Sequence, residues 1–452
     1  MNANGWQGAC SVSSYAAFLE SKRQLGGLHG FAPLWMPDFL MDFQAHLVDW
    51  STRKGRGALF CDCGMGKTPM QLVWSQNVIQ HTNRPVLIVA PLAASSQTVR
   101  EAAKFGIPCE RSSTGKHTDD ARIIVTNYER LHLFDSSRYA GAVCDESSIL
   151  KNFDGVTKAT VTEFMRLLPY RLLCTATAAP NDYVELGTSS EALGELGHVD
   201  MLTRFFKNDE SSLAPLSHGA KWRFKPHAER PFWQWMCGWA RAARKPSDVG
   251  PFADDRLRLP ALNERVITVE ASRPMPGHLF VTAAKTLPEQ RLERRSTIQE
   301  RCEAVEAIAQ GADKFVAWCH LNDEADLLEH LIDGSNQVSG TQSDEQKLEL
   351  FDAFTAGSLR VLITKPKIGA FGLNWQHCAN LSMFPSHSYE QYYQAVRRCW
   401  RYGQTRDVNV SVITTQGEAD VLGNLQRKAA AADKMFAFMA EEMKRATTNG
   451  HD

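Results

Sequence analysis

The sequence predicts an α/β protein of two tandem domains, each a parallel sheet flanked by helices, and three observations carry that expectation. Unalternated apolar runs separated by helical patterns recur between residues 37 and 185 and again between 263 and 425, as parallel strands buried on both faces require. One such run, Ala58 to Cys61, passes directly into a glycine-bearing turn and then a helix, the setting of a phosphate-binding loop. At 452 residues the chain exceeds one ordinary core, so two or three domains are expected.

Taken in order, residues 1–36 carry no clear periodicity beyond Ser13 to Leu25, a candidate short helix. From Phe39 to Trp50, apolar positions 39, 40, 43, 47 and 50 share one helical face. Gln44 lies on that helix, and its amide offers both the donor and the acceptor that an adenine edge needs; on most helices a glutamine is simply solvated. The turn itself reads Cys63-Gly64-Met65-Gly66-Lys67-Thr68. Glycine lets backbone N–H groups approach phosphate oxygens, and the helix N-terminus adds partial positive charge at the same point. Lys67 suits the β- and γ-phosphates and the Thr68 hydroxyl suits Mg²⁺. Cys61 stands where the first glycine of the full motif is expected.

Further strands are expected at Pro85–Ala90, Ile123–Thr126, Ala142–Asp145 and Arg171–Thr175. In such sheets functional groups gather at the carboxyl ends of the strands. The third run ends in Asp145-Glu146-Ser147-Ser148, where Asp145 is suited to hold a metal and Glu146 to orient and deprotonate water. The fourth ends in Thr175-Ala176-Thr177, hydroxyls that equally suit a turn.

Residues 186–262 break this pattern and read as a mostly helical insertion. Between Lys221 and Arg258, basic side chains interleave with Trp222, Trp233, Trp235 and Trp239. Two readings stand side by side: a surface that neutralises phosphates and stacks on bases, or a small subdomain with tryptophans as its core. Lys285 to Arg301 mixes glutamates with its basic residues and reads as a solvated helix.

The parallel-sheet pattern then restarts, with strands expected at Phe315–Cys319, Arg360–Thr364 and Val408–Ile413 and Asn322 as a candidate helix cap. This second domain has no phosphate loop. It has instead Gln394, Arg398 and Arg401 at i, i+4 and i+7, an amide and two guanidiniums on one helical face. Arginines entering a nucleotide cleft from a second domain stabilise charge on a transferring phosphoryl group. Residues 426–452 are helical by composition, a tail expected to pack back on a domain.

Composition narrows the function classes. A net charge of −1 excludes a globally basic nucleic-acid binder, so a polyanion would meet a local groove. Eleven cysteines, mostly inside apolar runs, suit buried reduced thiols, and zinc-ligand spacing is lacking. Neither a membrane-length apolar run nor a signal-peptide pattern in Met1 to Gln24 is found, so a cytoplasmic protein without membrane association is expected.

Together and in this order, these segments resemble superfamily 2 helicases, and within them the Swi/Snf-type, DEAD/DEAH-like ATPases, particularly compact phage-encoded members. Gln44 is similar to the family's adenine-reading glutamine, Cys63 to Thr68 to motif I, Val89-Ala90-Pro91-Leu92 to motif Ia, and Ile124 to Glu129 to the segment before motif II. Asp145 to Ser148 with Leu150-Lys151-Asn152 resembles motif II, and Thr175 to Thr177 with Pro180-Asn181 motif III. Gly369-Ala370-Phe371-Gly372-Leu373-Asn374 is similar to motif V, and Gln394 to Gln404 to motif VI. Ser147-Ser148 departs from the family, which usually has histidine at the second position.

The resemblance implies two RecA-like P-loop domains sharing one ATP and Mg²⁺, with Lys67, Glu146, Gln394, Arg398 and Arg401 catalytic. Gln44, Gly64, Gly66, Lys67, Thr68, Asp145 and Gly372 would bind nucleotide, Thr68 and Asp145 through the metal. It implies DNA, double-stranded, as partner, gripped near Pro91, Thr126, Asn127, Thr364 and Asn374. The activity implied is a DNA translocase or helicase. Two alternatives are the motor of a restriction or defence assembly, with a protein partner supplying specificity or nuclease activity, and a nucleotide-switched clamp that does not translocate.

Overall fold

The computed structural model describes residues 27–118, 120–151, 155–208, 222–270, 286–369 and 373–448. The Ser13 to Leu25 helix, Asn152, Lys221 and Gly372 lie outside the described residues.

Apolar runs become strands as their patterning requires. In the first lobe they are β1 (Arg56–Cys61), β2 (Val86–Ala90), β3 (Glu110–Arg111), β4 (Ile123–Asn127), β5 (Gly141–Asp145) and β6 (Tyr170–Cys174). A hairpin follows, β7 (Phe206–Asn208) with β8 (Trp222–Phe224), and then β9 (Ala240–Ala243). The sheet order is β3-β4-β2-β5-β6-β1-β9, with every pairing parallel. Register aligns the strand ends: Ala90 lies opposite Asn127, and Asp145 and Leu59 both lie opposite Cys174. The loops after β1, β2, β5 and β6 therefore open onto one edge of the sheet.

The second lobe contains β10 (Leu262–Val269), β11 (Phe315–Trp318), β12 (Ser335–Val338), β13 (Val361–Thr364), β14 (Asn380–Met383) and β15 (Val408–Thr415). Their order is β10-β15-β14-β11-β13-β12, again all parallel. The architecture is thus two parallel sheets, each flanked by helices, with a partly helical segment between them. Among the described residues no helix is long and apolar enough to cross a membrane.

The interlobe segment differs from its sequence reading in one respect. It is not wholly an insertion, because β9 extends the first sheet beside β1, with Ala58 opposite Ala240. Of the two readings of its tryptophans, the core prevails for three. Trp233, Trp235 and Trp239 are buried with Phe232 in the first lobe's core, while Arg223, Lys225 and Arg230 stay exposed. The helix Glu229–Cys237 turns Phe232, Trp233 and Trp235 inward and Arg230 outward.

The C-terminal tail is longer than its sequence signal. One helix, Ala419–Thr448, starts against the second lobe, where Leu425 packs with Tyr389, and ends on the first, where Met435, Phe436, Met439 and Met443 join the core. Asn322 is not a cap but the first helical residue of Asn322–Leu331, whose N-cap is Leu321.

Candidate active site

The loop after β1 is shaped by its two glycines and by what leans on them. Gly64 and Gly66 have φ of 87° and 76°, in the left-handed region that glycine adopts without penalty. A Cβ on Gly66 would lie 2.2 Å from Gln44 Nε2, and one on Gly64 2.6 Å from Tyr402 Cδ2. Gln44 donates from Nε2 to the Met65 carbonyl at 2.9 Å, and its Oε1 accepts from Met41 N at 2.9 Å. The Nε2 end thus braces the loop, while the Oε1 end caps Gln44's own helix at Met41.

Lys67 opens the helix Lys67–Thr82 and turns its ammonium back over the loop, 3.0 Å from the Cys61 carbonyl and 3.4 Å from that of Asp62. Burial opposes its charge, yet Cys63, Glu146 and Asp145 nearby hold its pKa above the usual lysine value. Asp145, at the end of β5, accepts from Gln71 Nε2 at 2.7 Å. Burial and the neighbouring Glu146 push its carboxyl up to about 6, against the pull of Lys67 and Gln71.

Glu146 follows with φ of 51°, a sparsely populated conformation for a non-glycine residue and one that marks functional turns. Its Oε2 lies 3.5 Å from Thr175 Oγ1 and 3.4 Å from Gln394 Nε2, and the same Gln394 amide lies 3.5 Å from Thr177 Oγ1. The Thr175 hydroxyl after β6 and the Gln394 amide of the second lobe therefore meet at this carboxylate, and Thr177 joins through Gln394. Ser147, the first of the two serines that follow Glu146, has its Oγ buried without a hydrogen-bond partner.

From the second lobe, the helix Tyr389–Cys399 presents Gln394 and Arg398. Arg398 donates to Gln394 Oε1 at 2.8 Å and to the Leu373 carbonyl at 3.0 Å. Arg401 lies beyond the helix end, yet it reaches the same Leu373 carbonyl at 3.2 Å and also contacts Asn374 Oδ1. Burial and the adjacent Arg398 lower Arg401 to about 10. A cavity of about 130 Å³ is lined by Gly64, Gly66, Lys67, Thr68, Asp145 and Glu146 from one lobe and by Asn374, Arg398 and Arg401 from the other.

Mg²⁺ takes one or two carboxylates and fills its other positions with water and phosphate oxygens. Thr68 and Asp145 on one cavity wall, with Gln71 fixing the carboxylate, fit that requirement. Among the described residues no group of three or more His, Cys, Asp or Glu side chains makes a protein-only metal site.

The residues expected to grip nucleic acid do not assemble as one set. Pro91 lines a second interlobe cavity of about 570 Å³, together with Tyr128, Lys151, Lys347 and Lys367, and Glu146 and Ser148 line it too. Thr126 and Thr364 lie inside their sheets. Thr126 Oγ1 is buried, and Thr364 Oγ1 donates to the Val338 carbonyl at 3.2 Å, so neither hydroxyl is exposed. Asn127 is half-buried at the end of β4, and Asn374 faces the smaller cavity instead. Lys151 and Glu390 form an ion pair between the lobes.

Sequence reasoning missed Gln71, Asp62, Tyr393 and Arg397. Gln71 is one helical turn after Lys67, a spacing that could have found it. Tyr393 and Arg397 reach Asp62 across 331 or more residues of chain, which no local pattern reveals.

No family model matches the chain. A curated relative, the uncharacterized ATP-dependent helicase YqhH of Bacillus subtilis (strain 168), is 28% identical over 202 residues, 41% of this chain. That match spans 36% of the relative, about a third of its length. A solved structure, the Sulfolobus solfataricus SWI2/SNF2 ATPase core in complex with dsDNA, is similar over 93% of this chain and 97% of that chain, with a TM-score of 0.42 and 15% identity.

Proposed function

We propose that this chain is an ATP-dependent motor on duplex DNA, a translocase or helicase that hydrolyses ATP between its two lobes. The observation that carries the reading is the convergence of Lys67, Thr68, Asp145 and Glu146 with Arg398 and Arg401 on one cavity. At about 130 Å³ it is smaller than the roughly 300–1,000 Å³ of whole-ligand pockets, which suits a phosphate chain with the nucleoside outside. The name of the Bacillus subtilis relative supports the same class.

ATP with Mg²⁺, held through Thr68 and Asp145, supplies the phosphoryl group and the metal's charge neutralisation. Lys67 offsets phosphate charge from the loop side. Glu146 orients a water and takes its proton, and Thr175 and Gln394 fix the carboxylate for that task. Arg398 and Arg401 stabilise the charge that develops on the phosphoryl oxygens. Because these arginines belong to the second lobe, catalysis requires the lobes to be closed.

Duplex DNA is assigned to the larger cleft, where Lys367 suits a phosphate contact with little sequence preference, and where Lys151 and Lys347, paired with Glu390 and Asp344, would have to exchange those partners for phosphate. Glu146 lines both cavities, so a polyanion there would bear directly on the catalytic carboxylate. The test is steady-state ATP hydrolysis without nucleic acid and with single-stranded DNA, duplex DNA or RNA, using Lys67→Ala as blank. Strong stimulation by duplex DNA, abolished in the blank, is expected. Equal turnover in all four conditions overturns the DNA-coupled reading and points to a missing protein partner. Retention of biological activity by Glu146→Gln favours a clamp over a motor.

A further inference from the structure

The helix Tyr389–Cys399 carries two i, i+4 pairs on adjacent rows, and only one of them, through Arg398, lines the cavity. Gln394 and Arg398 form that row. The other, Tyr393 and Arg397, reaches past the cavity to the start of the phosphate loop. Arg397, 1% exposed, forms an ion pair with Asp62 at 2.5 Å and donates to the Cys63 carbonyl at 3.1 Å. Tyr393 bonds to Asp62 through its hydroxyl. Asp62 in turn accepts from the Cys63 N–H at 2.5 Å. One buried carboxylate thus ties the loop's own backbone to two side chains of the opposite lobe. Asp62 holds the charge on Arg397 more firmly than in free arginine, although burial works against it.

We infer that Arg397 is a positioning residue for the phosphate loop: through Asp62 and Cys63 it sets the loop's shape, and hence nucleotide affinity, from the second lobe. Arg397 does not line the cavity, so it acts on the loop and not on phosphate. The division of work is within one helix: Arg398 serves the reaction and Arg397 serves binding. The inference rests on the reading of this cleft as an ATP site.

The test measures the affinity of full-length protein for a non-hydrolysable ATP analogue with Mg²⁺, together with kcat and KM for ATP. Arg397→Met should weaken binding roughly 10- to 100-fold, the range for withdrawing one partner of a charged hydrogen bond, with a smaller loss in kcat. Arg398→Met should do the reverse. Arg397→Lys should recover part of the affinity, since it returns the charge to Asp62, although a compact ammonium does not reproduce the reach by which the single Nη2 serves both Asp62 and the Cys63 carbonyl. Asp62→Asn combined with Arg397→Met should also recover part, because the uncompensated buried carboxylate is gone. If Arg397→Met does not fold, Asp62→Asn alone should weaken nucleotide binding from the loop side. Unchanged affinity with lost kcat, or an affinity loss that neither rescue reduces, overturns the assignment while leaving the ATP site intact. Failure of the unaltered chain to bind nucleotide, or binding that Lys67→Ala does not impair, overturns the functional reading and this assignment with it.

Discussion

Asp145→Asn should abolish Mg²⁺-dependent turnover and yet make the protein more stable at neutral pH. The carboxyl is displaced from 3.8 to about 6 in the folded chain. A carboxyl whose folded pKa is raised costs stability while ionised: the cost is full above about 6 and fades as the pH falls toward the unfolded value. At 1.36 kcal/mol per pH unit the displacement corresponds to about 3 kcal/mol at pH 7.5, and it shrinks to about 1 kcal/mol at pH 4.5. The favourable pull of Lys67 and the Gln71 amide is already contained in the value of about 6. Asparagine keeps the acceptor that Gln71 Nε2 uses at 2.7 Å and removes the repulsion from Glu146. For a lobe of this size the gain is a rise in Tm of roughly 5–10 °C at pH 7.5. The assay is thermal denaturation of both proteins at pH 7.5 and 4.5, without nucleotide or Mg²⁺. A variant that melts lower at pH 7.5, or a difference independent of pH, refutes the reasoning.

Other perturbations separate chemistry from structure. Glu146→Gln should lower kcat by roughly 10²- to 10⁴-fold with nucleotide and DNA binding retained, read by single-turnover hydrolysis and equilibrium binding. In Arg398→Met the loss, roughly 10³- to 10⁵-fold, should fall on kcat with little change in KM. Glu324→Ala withdraws the partner of Arg301 in an ion pair of 2.8 Å with both side chains fully buried. It should cost about 3–5 kcal/mol, measured by urea denaturation. Stimulation of hydrolysis by duplex DNA should weaken steeply between low and moderate salt, as phosphate contacts require.

What was legible in the sequence was what local patterning encodes. Most central strands announce themselves as apolar runs, and Asp145 and Glu146 stand at the end of one; β14 is central yet does not, because Asn380-Leu381-Ser382-Met383 is short and half polar. β9 did not, because Ala240-Arg241-Ala242-Ala243 is short, rich in alanine and without a β-branched residue. β12 is a polar edge strand, Ser335-Asn336-Gln337-Val338, with only its last residue fully buried. The site divides in the same way. Lys67, Thr68 and the two arginines follow from motif chemistry, whereas the fates of Thr126 and Thr364 depend on which face of a strand they occupy within a finished sheet. The amide of Gln44 has the groups a base edge needs; in the fold its Nε2 goes to the Met65 carbonyl of the loop and its Oε1 to Met41 N at the start of its own helix, contacts that residue type alone does not reveal.

The distances across the interface impose an order on lobe opening. The links from the second lobe to Glu146 and Thr177 are neutral-donor contacts of 3.4 and 3.5 Å, already at the edge of hydrogen-bond range. The links to the phosphate loop are a buried ion pair of 2.5 Å and a charged hydrogen bond of 3.1 Å. A small separation therefore frees Glu146 first, while Arg397 still holds Asp62 and Cys63. In a cycle of closing and opening, hydrolytic competence is lost early and the shape of the phosphate loop late. If the chain is the ATP-driven motor proposed above, nucleotide would stay bound in a partly opened state that no longer turns it over.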